Sequence, residues 1–153
     1  MYPLETWIVN DLGIMVPTSE HAYHSERFID PLHKVAVADA RAPQPEVGQI
    51  DNRSFVDRLD GVAAKRVAYG LIEAGAPTRE DWEAIRVETM FSVNLRKFRK
   101  NYGLAAKLID TGDMELIEGN QHGDRFWGVD PIGSTNGENQ LGKVLMKVRA
   151  ALQ

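Results

Sequence analysis

The fold class follows first from WIVNDLGIMVPTSEHAYHSERFIDP, residues 7–31, which contains a strand pattern and then a helix start. Two short apolar runs flank residues 11–13, where polar side chains and a glycine are typical of a hairpin turn. Thr18 or Ser19 then fits a helix N-cap, because a hydroxyl there accepts a hydrogen bond from the first turn. We predict an antiparallel hairpin followed by a helix that ends before the Asp-Pro step at 30–31.

Helical spacing of apolar residues recurs downstream. It predicts helices at four places, namely 62–73, 80–100, 104–109 and 141–152. Asn139 is predicted as the N-cap of the last one. The segment 31–61 is predicted to be loop-rich with a short helix, 114–118 to be a strand, and 119–137 to be a polar, glycine-rich loop. The expected fold is a single compact α+β domain over residues 1–153, mainly helical, with a small antiparallel β-sheet.

Length and composition restrict the class of protein. A chain of 153 residues and 17.1 kDa fits one domain, because single domains cluster at about 100–150 residues. The absence of cysteine excludes disulfides, thiolate metal sites, iron–sulfur clusters and cysteine nucleophiles. The first residues lack a signal-peptide pattern and no apolar run approaches the ~18 residues of a membrane span. We therefore expect a soluble, cytoplasmic protein without membrane contact.

The net charge of −4 gives no general attraction for nucleic acid, whose binding proteins are usually basic. The basic run RKFRK at 96–100 is interpreted as the C-terminal end of a helix, where Lys and Arg oppose the helix dipole. Nucleic acid is therefore considered only as a substrate.

A first cluster of reactive side chains lies on the helix predicted after Thr18. Glu20 and Arg27 are seven residues apart, so at ~100° per residue they point within about 20° of each other. Tyr23 and His24 share that face. Such a stripe can form a catalytic or anion-binding site, although a solvent-exposed helix also produces it by chance.

A second cluster is DRFWGVD at 124–130. Gly128 beside the indole of Trp127, with Asp124 close in sequence, suits a loop that lets a flat ring approach the backbone. The alternative is a tryptophan that anchors a loop to the core.

A third cluster, GSTNGEN at 133–139, leads into the last helix. Free backbone N–H groups and the positive end of the helix dipole are expected to hold an anionic phosphate there. A glycine-rich cap without a ligand is the alternative. The motif is neither a P-loop nor a dinucleotide fingerprint, because Gly-Lys-Ser/Thr and GxGxxG are both absent.

Other chemistries have weaker support. His21 and His24 provide two metal ligands without an obvious third. No GxSxG motif is present, and Ser19 and Ser25 lack a convincing base. We predict no metal, no cofactor and no obligate protein partner.

Short motifs in a fixed order connect these clusters. They are VPTSEH (16–21), KF (97–98), LIDTG (108–112), DRFWG (124–128) and GENQLG (137–142), the last followed by LM (145–146) and Arg149. In this order and spacing, from about Tyr2 to Leu152, they resemble the NADAR, or YbiA-like, family. The resemblance implies a compact, mainly helical α+β domain that acts as an N-glycosidase on ribose phosphates.

The resemblance also assigns residues. It places the family's acid on Glu20, its Asp and Trp-Gly pair on Asp124, Trp127 and Gly128, and its late asparagine on Asn139. Glu20 and Asp124 are the expected catalytic residues. Substrate binding is expected from His24, Arg27, Trp127, Gly128 and Asn139.

Two activities of the family bear on the substrate. One hydrolyses ribosylamino-pyrimidine intermediates of riboflavin synthesis, and the other removes ADP-ribose from guanine in nucleic acid. We expect the second, because Trp127 offers a stacking face, and Arg27 and the cap at 133–139 offer two anion sites that suit a diphosphate. A non-catalytic module that binds ADP-ribose or NAD is one alternative, and a structural protein without nucleotide binding is another.

The chain departs from the family pattern at two places. Arg27 replaces a lysine, and an arginine cannot become the neutral amine that a Schiff base or a proton transfer requires. We expect Arg27 to pair with a phosphate instead. Family members also have a Ser-Asn pair before the step matched by Tyr2-Pro3, where this chain has Met1. If that asparagine lines the site, residues upstream of Met1 are expected.

Overall fold

The computed structural model describes residues 8–41 and 61–153. Within these ranges the elements, in chain order, are β1 (Ile8–Val9), β2 (Met15–Val16), α1 (Ser19–Glu26), α2 (Pro31–Ala38), α3 (Gly61–Glu73), α4 (Trp82–Lys100), α5 (Tyr102–Ile109) and α6 (Gln140–Leu152). The predicted α+β, mainly helical architecture with a small antiparallel sheet is confirmed. The Tyr2-Pro3 step and residues 42–60 of the segment predicted as loop-rich lie outside the described residues.

The chain divides into two compact units, Met1–Ile85 and Arg86–Gln153, and the boundary falls inside α4. The last turn of α4 contains Lys97, Arg99 and Lys100, so the basic run lies at a helix C-terminus as predicted. Across 8–41 and 61–153, no helix combines the length and apolar character needed to span a membrane. That residues 1–153 form one domain stays a prediction.

The predicted hairpin is present, with β1 and β2 paired antiparallel. Between the strands, the side-chain oxygen Oδ1 of Asn10 accepts hydrogen bonds from the backbone N–H of Leu12 (3.1 Å) and Ile14 (2.9 Å). Gly13 has a φ of +76°, a left-handed conformation that glycine adopts without a steric penalty. The turn is therefore stabilised by one buried asparagine and one glycine.

α1 is the central helix of the first unit. Thr18 is its N-cap, because Thr18 Oγ1 accepts the N–H of His21 at 3.4 Å. The helix contacts α2, α3 and both strands, so almost all of it is buried although most of its residues are polar. An apolar cluster in this unit consists of Phe28, Val37, Ala40, Ala63, Ala64 and Ala68. The alanines let α3 pack closely, because they occupy little volume.

An ionic cluster connects the hairpin turn to α1 and α2. The buried Lys34 Nζ pairs with the Asp11 carboxylate and lies 3.8 Å from Glu26 Oε2. Glu26 Oε1 also accepts the Asp11 N–H at 3.0 Å. Burial, together with the neighbouring Asp11 charge, raises the pKa of Glu26 above its ordinary value. Three consecutive elements are therefore held by one shared set of charges.

In the second unit, α5 packs against α6. The buried Arg149 of α6 donates to Thr111 Oγ1 at 2.6 Å and to the Met114 carbonyl at 2.9 Å. The guanidinium thus donates to one side-chain oxygen and one backbone oxygen just after α5. These hydrogen bonds hold the segment that follows α5 against α6.

The strand predicted at 114–118 is wrong, because this segment is irregular. Its polar backbone groups are instead paired with the Asn139 side chain, whose Nδ2 donates to the Leu116 carbonyl (2.9 Å) and whose Oδ1 accepts the Glu118 N–H (3.0 Å). Nearby, Gly119 forms a single parallel bridge with Val129. A side chain 21 residues from Glu118 thus replaces the neighbouring strand that the sequence pattern suggested.

Asn139 precedes α6 as predicted, but its side chain makes no capping hydrogen bond. Its backbone is left-handed, with φ +52° and ψ +41°, a conformation that asparagine tolerates better than most residues. In this conformation both the oxygen and the nitrogen of the Asn139 side-chain amide bind the backbone of the 116–118 segment. Asn139 is therefore the N-cap residue of α6 by position, as predicted, whereas its side chain acts as a tertiary clasp on the 116–118 segment.

Replacing Asn139 with Ala is expected to lower the free energy of unfolding by about 2 kcal/mol, because two backbone groups lose their partner and alanine is disfavoured in the left-handed region. Urea denaturation followed by circular dichroism measures this change. Asn136→Ala is the matched control, since Asn136 lies in the same loop and is exposed. Equal midpoints for the two variants would contradict the clasp.

Candidate functional site

Within α1 and its C-cap, residues 19–27, Glu20 and Arg27 are half-buried and every other residue is buried. Seven residues separate them, so they open on the same side of the helix. Tyr23 and His24 of the predicted stripe are buried, with 6% and 7% of their surface exposed. The acid and the guanidinium are thus the points at which this polar helix reaches the surface.

Glu20 lies between α1 and the start of α3. Its Oε2 accepts a hydrogen bond from Ser19 Oγ at 3.3 Å. The first residue of α3, Gly61, lies directly against the Glu20 side chain. The carboxylate is therefore bounded by its own helix on one side and by α3 on the other.

Arg27 contacts two aromatic rings of the same unit. Its guanidinium carbon lies 5.3 Å from the centre of the Tyr69 ring and 5.8 Å from that of Trp82. The flat guanidinium is suited to such cation–π contacts. Its Nε is buried and has no hydrogen-bond partner among the described residues. Trp82 is buried. The proximity of Tyr69 to Arg27 had no signal in the sequence.

His24 is a neutral imidazole near neutral pH. Burial lowers its pKa from the ordinary 6.5 to about 4, with further lowering by the charges of Arg27 and Lys65. Its ring centre is 5.1 Å from that of Tyr23 and 6.2 Å from that of Tyr69. Within the described part of the chain, the buried Nδ1 atom has no hydrogen-bond partner.

His21, the other histidine of the pair considered for a metal, is occupied by structural contacts. Its Nδ1 lies 2.8 Å from Thr18 Oγ1 and its Nε2 lies 3.0 Å from the Ala40 carbonyl. Both ring nitrogens are thus used to fix the N-terminus of α1. Over 8–41 and 61–153, no group of three His, Asp or Glu side chains has a geometry that could hold a metal ion.

In the second unit, Asp124 organises its own loop. One carboxylate oxygen, Oδ1, accepts the N–H groups of Phe126 (3.1 Å) and Trp127 (2.8 Å). The buried Asn120, which the sequence did not single out, donates to the carbonyls of Asp124 (2.7 Å) and Val129 (3.1 Å). Asp124 and Asn120 together fix the backbone that presents Trp127.

Trp127 is half-buried and meets the Phe126 ring edge-on, with ring centres 5.0 Å apart. The Arg86 guanidinium lies 3.6 Å from the centre of the same Phe126 ring, in a cation–π contact. At Gly128, a Cβ atom would collide with the Glu118 carbonyl. Glycine is thus required here by packing within the protein, whatever a ligand requires.

The phosphate site expected at 133–139 relied on free N–H groups at the start of the last helix. The N–H groups of Glu138, Asn139, Gln140 and Leu141 are not free, because each donates to a carbonyl of the preceding loop. The four acceptors, in that order, are Arg125 (2.7 Å), Gly128 (3.3 Å), Phe126 (3.1 Å) and Trp127 (2.9 Å). The start of α6 therefore holds the 125–128 backbone where the sequence suggested an anion.

The predicted site residues fall into two groups. Glu20, His24 and Arg27 belong to the first unit, where α1 brings them together. The other group lies in the second unit around the start of α6, and it consists of Asp124, Trp127, Gly128 and Asn139. That both groups line one site, and the role of each residue in it, stay predictions.

These features define a small, helical α+β protein with a polar helix as its candidate active element. A family model described as the NADAR domain matches residues 6–153. The chain belongs to the NADAR family, which confirms the resemblance found in the sequence.

Named relatives include proteins of two kinds. Riboflavin biosynthesis protein VVA0006 of Vibrio vulnificus is 36% identical over 141 residues, covering 92% of this chain. N-glycosidase YbiA of Shigella boydii is 26% identical over 146 residues, covering 95% of this chain. The aligned region spans 32% of the Vibrio protein and 76% of the Shigella protein.

A solved structure also matches. The NMR structure of Escherichia coli YbiA superimposes with a TM-score of 0.69 at 25% sequence identity, covering 98% of this chain and 75% of that protein. The two proteins thus share a fold over almost the whole of this chain.

The free energy of unfolding is expected to fall by up to about 3 kcal/mol as the pH drops from about 7 to about 4, because His24 takes up its proton near pH 6.5 when unfolded and near 4 when folded. The unfolded state binds more protons within this window, so acid favours it. Urea denaturation across this range for wild type and His24→Gln measures the contribution. His122→Gln alters an exposed histidine and should show the same dependence of the unfolding free energy on pH as the wild type. The same slope in His24→Gln would contradict the burial of a neutral imidazole.

Proposed function

We propose that the chain is an N-glycosidase that hydrolyses the bond between ribose C1′ and a nitrogen in a phosphorylated ribosyl substrate. The observation that supports this most is on α1, where an acid and an arginine reach the surface of an otherwise buried helix beside a neutral histidine. The name N-glycosidase, given to the YbiA relatives, agrees with it.

The reaction requires a carboxylate near the sugar and a proton for the departing nitrogen. Breaking the C1′–N bond develops oxocarbenium character on the ribose, and the departing nitrogen must take up a proton. In the proposed step the Glu20 carboxylate stabilises the cation and activates a water molecule. The water oxygen forms a bond to C1′ as the C1′–N bond breaks. Glu20 accepts one proton from this water, and that proton passes on to the departing nitrogen, so the two products together contain the atoms of one water molecule.

The remaining predicted residues have proposed roles toward the leaving group. Asp124 uses Oδ1 for its loop, and we assign Oδ2 to the leaving nitrogen or a ribose hydroxyl. Trp127 is proposed to stack on the base, and Gly128 to let that base approach. Asn139 is proposed to act by holding the 116–118 backbone in place, since both its amide atoms are engaged there.

The phosphate is assigned to Arg27. The positive charges of Arg27 and Lys65 both lower the pKa of His24, so two cationic side chains act on this imidazole. Unpaired nitrogens at Arg27 Nε and His24 Nδ1 add two hydrogen-bonding groups without a protein partner in the described ranges. A guanidinium fork and a neutral imidazole together match a phosphate.

Among phosphorylated ribosyl substrates, we propose a monophosphate of the ribosylamino-pyrimidine kind rather than ADP-ribosyl-guanine. The preference for ADP-ribose relied on a second anion site at 133–139, and the N–H groups of residues 138–141, where this segment enters α6, already donate to carbonyls. The name of the Vibrio relative, a riboflavin biosynthesis protein, supports the same choice.

Glu20→Gln is expected to abolish hydrolysis, by about a thousandfold or more in kcat, while affinity for ribose 5-phosphate changes less than about threefold, because the substitution removes charge but little volume. Steady-state turnover and calorimetry measure the two quantities. Glu73→Gln, an exposed glutamate of α3, is the control. Turnover at the wild-type rate by Glu20→Gln would exclude the assignment, and binding without turnover by the wild type would indicate a binding module.

Arg27→Ala is expected to weaken ribose 5-phosphate binding about tenfold to a hundredfold, the usual loss for a hydrogen bond to a charged group. Arg27→Lys keeps the charge but loses the fork, so an intermediate loss is expected. Arg79→Ala is the control, because its side chain pairs with the exposed Asp81 and only its backbone contacts Arg27. Unchanged affinity in both Arg27 variants would contradict the phosphate role.

A further inference from the structure

α3 begins at the point where it touches the proposed catalytic acid. A Cβ atom added to Gly61 would lie 2.9 Å from both Cβ and Cγ of Glu20 and 3.2 Å from its Oε2. Real Cβ atoms essentially never approach other heavy atoms within 3.0 Å. The Glu20 side chain therefore occupies space that any residue other than glycine at position 61 would fill with its Cβ atom.

This contact involves the part of Glu20 that can move least. Cβ and Cγ are the first two atoms of the side chain, so their positions follow from the helix backbone and one rotamer. α1 itself is packed against α2, α3 and the hairpin. A methyl group at position 61 must consequently turn the Glu20 side chain or displace the start of α3.

The backbone at Gly61 does not explain why a glycine is present. Its φ is outside the left-handed region in which several other glycines of the chain lie. Alanine is also the better helix former at an ordinary helical position. The requirement at Gly61 is therefore for space beside Glu20.

A second contact acts on the same carboxylate from α1. Ser19 is buried, and its Oγ donates to Glu20 Oε2 at 3.3 Å. The methylene groups are thus confined by Gly61 and the oxygen is oriented by Ser19. We propose that Gly61 and Ser19 are positioning residues that hold the Glu20 carboxylate in its reactive orientation, an inference that rests on the proposed function.

α3 also reaches the other exposed point of α1. Tyr69 of α3 contacts Arg27, just as Gly61 contacts Glu20. At ~1.5 Å per residue, the offset of seven positions from Glu20 to Arg27 spans about 10 Å, and the offset of eight positions from Gly61 to Tyr69 spans about 12 Å. The two helices therefore run side by side in the same direction. α3 fixes both the acid and the proposed phosphate ligand, and so the distance between them.

The experiment compares two methyl groups added to one helix. Gly61→Ala is expected to lower kcat about tenfold to a hundredfold for ribosylamino-pyrimidine phosphate, because a small displacement of a reacting group has an effect of this size. The dissociation constant for ribose 5-phosphate, measured by calorimetry, should change less than about threefold. Gly70→Ala is the matched control, since nothing lies within 4 Å of a Cβ atom there. It should keep wild-type kcat and an equal or higher Tm.

Ser19→Ala gives an independent test that adds no volume. Its kcat should fall about threefold to tenfold while the dissociation constant for ribose 5-phosphate changes less than about threefold, because the carboxylate loses the hydrogen-bond donor that orients Oε2. A merely structural role for Ser19 would lower Tm and leave kcat unchanged at a temperature well below Tm. Wild-type kcat in Ser19→Ala would overturn the role of Ser19.

The remaining outcomes separate the two proposals. Equal kcat in Gly61→Ala and Gly70→Ala, with an active wild type, would overturn the positioning role and leave the proposed function intact. An unfolded Gly61→Ala beside a folded Gly70→Ala would assign Gly61 to packing and overturn its positioning role. A wild type inactive on every ribosyl substrate would overturn the proposed function, and this inference with it.

Discussion

The burial of a polar helix is the constraint on which the first unit depends. A polar group without a partner costs about 1–3 kcal/mol when it leaves water, so α1 can be buried only if its neighbours supply hydrogen bonds and charges. The hairpin provides Asn10 for Ser25, the segment after α2 provides the Ala40 carbonyl for His21, and α2 provides Lys34 for Glu26. The arrangement of these elements around α1 is therefore fixed by polar contacts as much as by apolar burial.

Two nitrogens on this helix and its C-cap are exceptions among the described residues. His24 Nδ1 and Arg27 Nε are buried without hydrogen-bond partners. The other buried side-chain nitrogens and oxygens of residues 19–27 have partners. Unpaired polar atoms at such a cost are most easily explained by a ligand that pairs them. At the start of α6, in contrast, the N–H groups of residues 138–141 are used internally. On this contrast we propose α1 as the phosphate site, so the number of proposed phosphate sites falls from two to one.

Local signals in the sequence predicted much of this structure, whereas tertiary contacts were beyond them. The hairpin turn, the Thr18 cap and the helices all follow from patterns within a few residues, and the structure confirms them. The strand at 114–118 failed because a distant side chain, Asn139, pairs with its backbone. The contacts of Gly61 with Glu20 and of Tyr69 with Arg27 join helices separated by more than 30 residues, so no spacing rule could reveal them.

The central claim is that α1 performs hydrolysis of a ribosyl monophosphate, and a product assay on the wild-type protein tests it most directly. The protein would be incubated in parallel with ribosylamino-pyrimidine phosphate and with DNA containing ADP-ribosylated guanine, and the products would be resolved by mass. We expect ribose 5-phosphate and free pyrimidine from the first substrate, with no ADP-ribose from the second. ADP-ribose release from the DNA without cleavage of the first substrate would contradict the single phosphate site, and no product from either would contradict the assignment of an N-glycosidase.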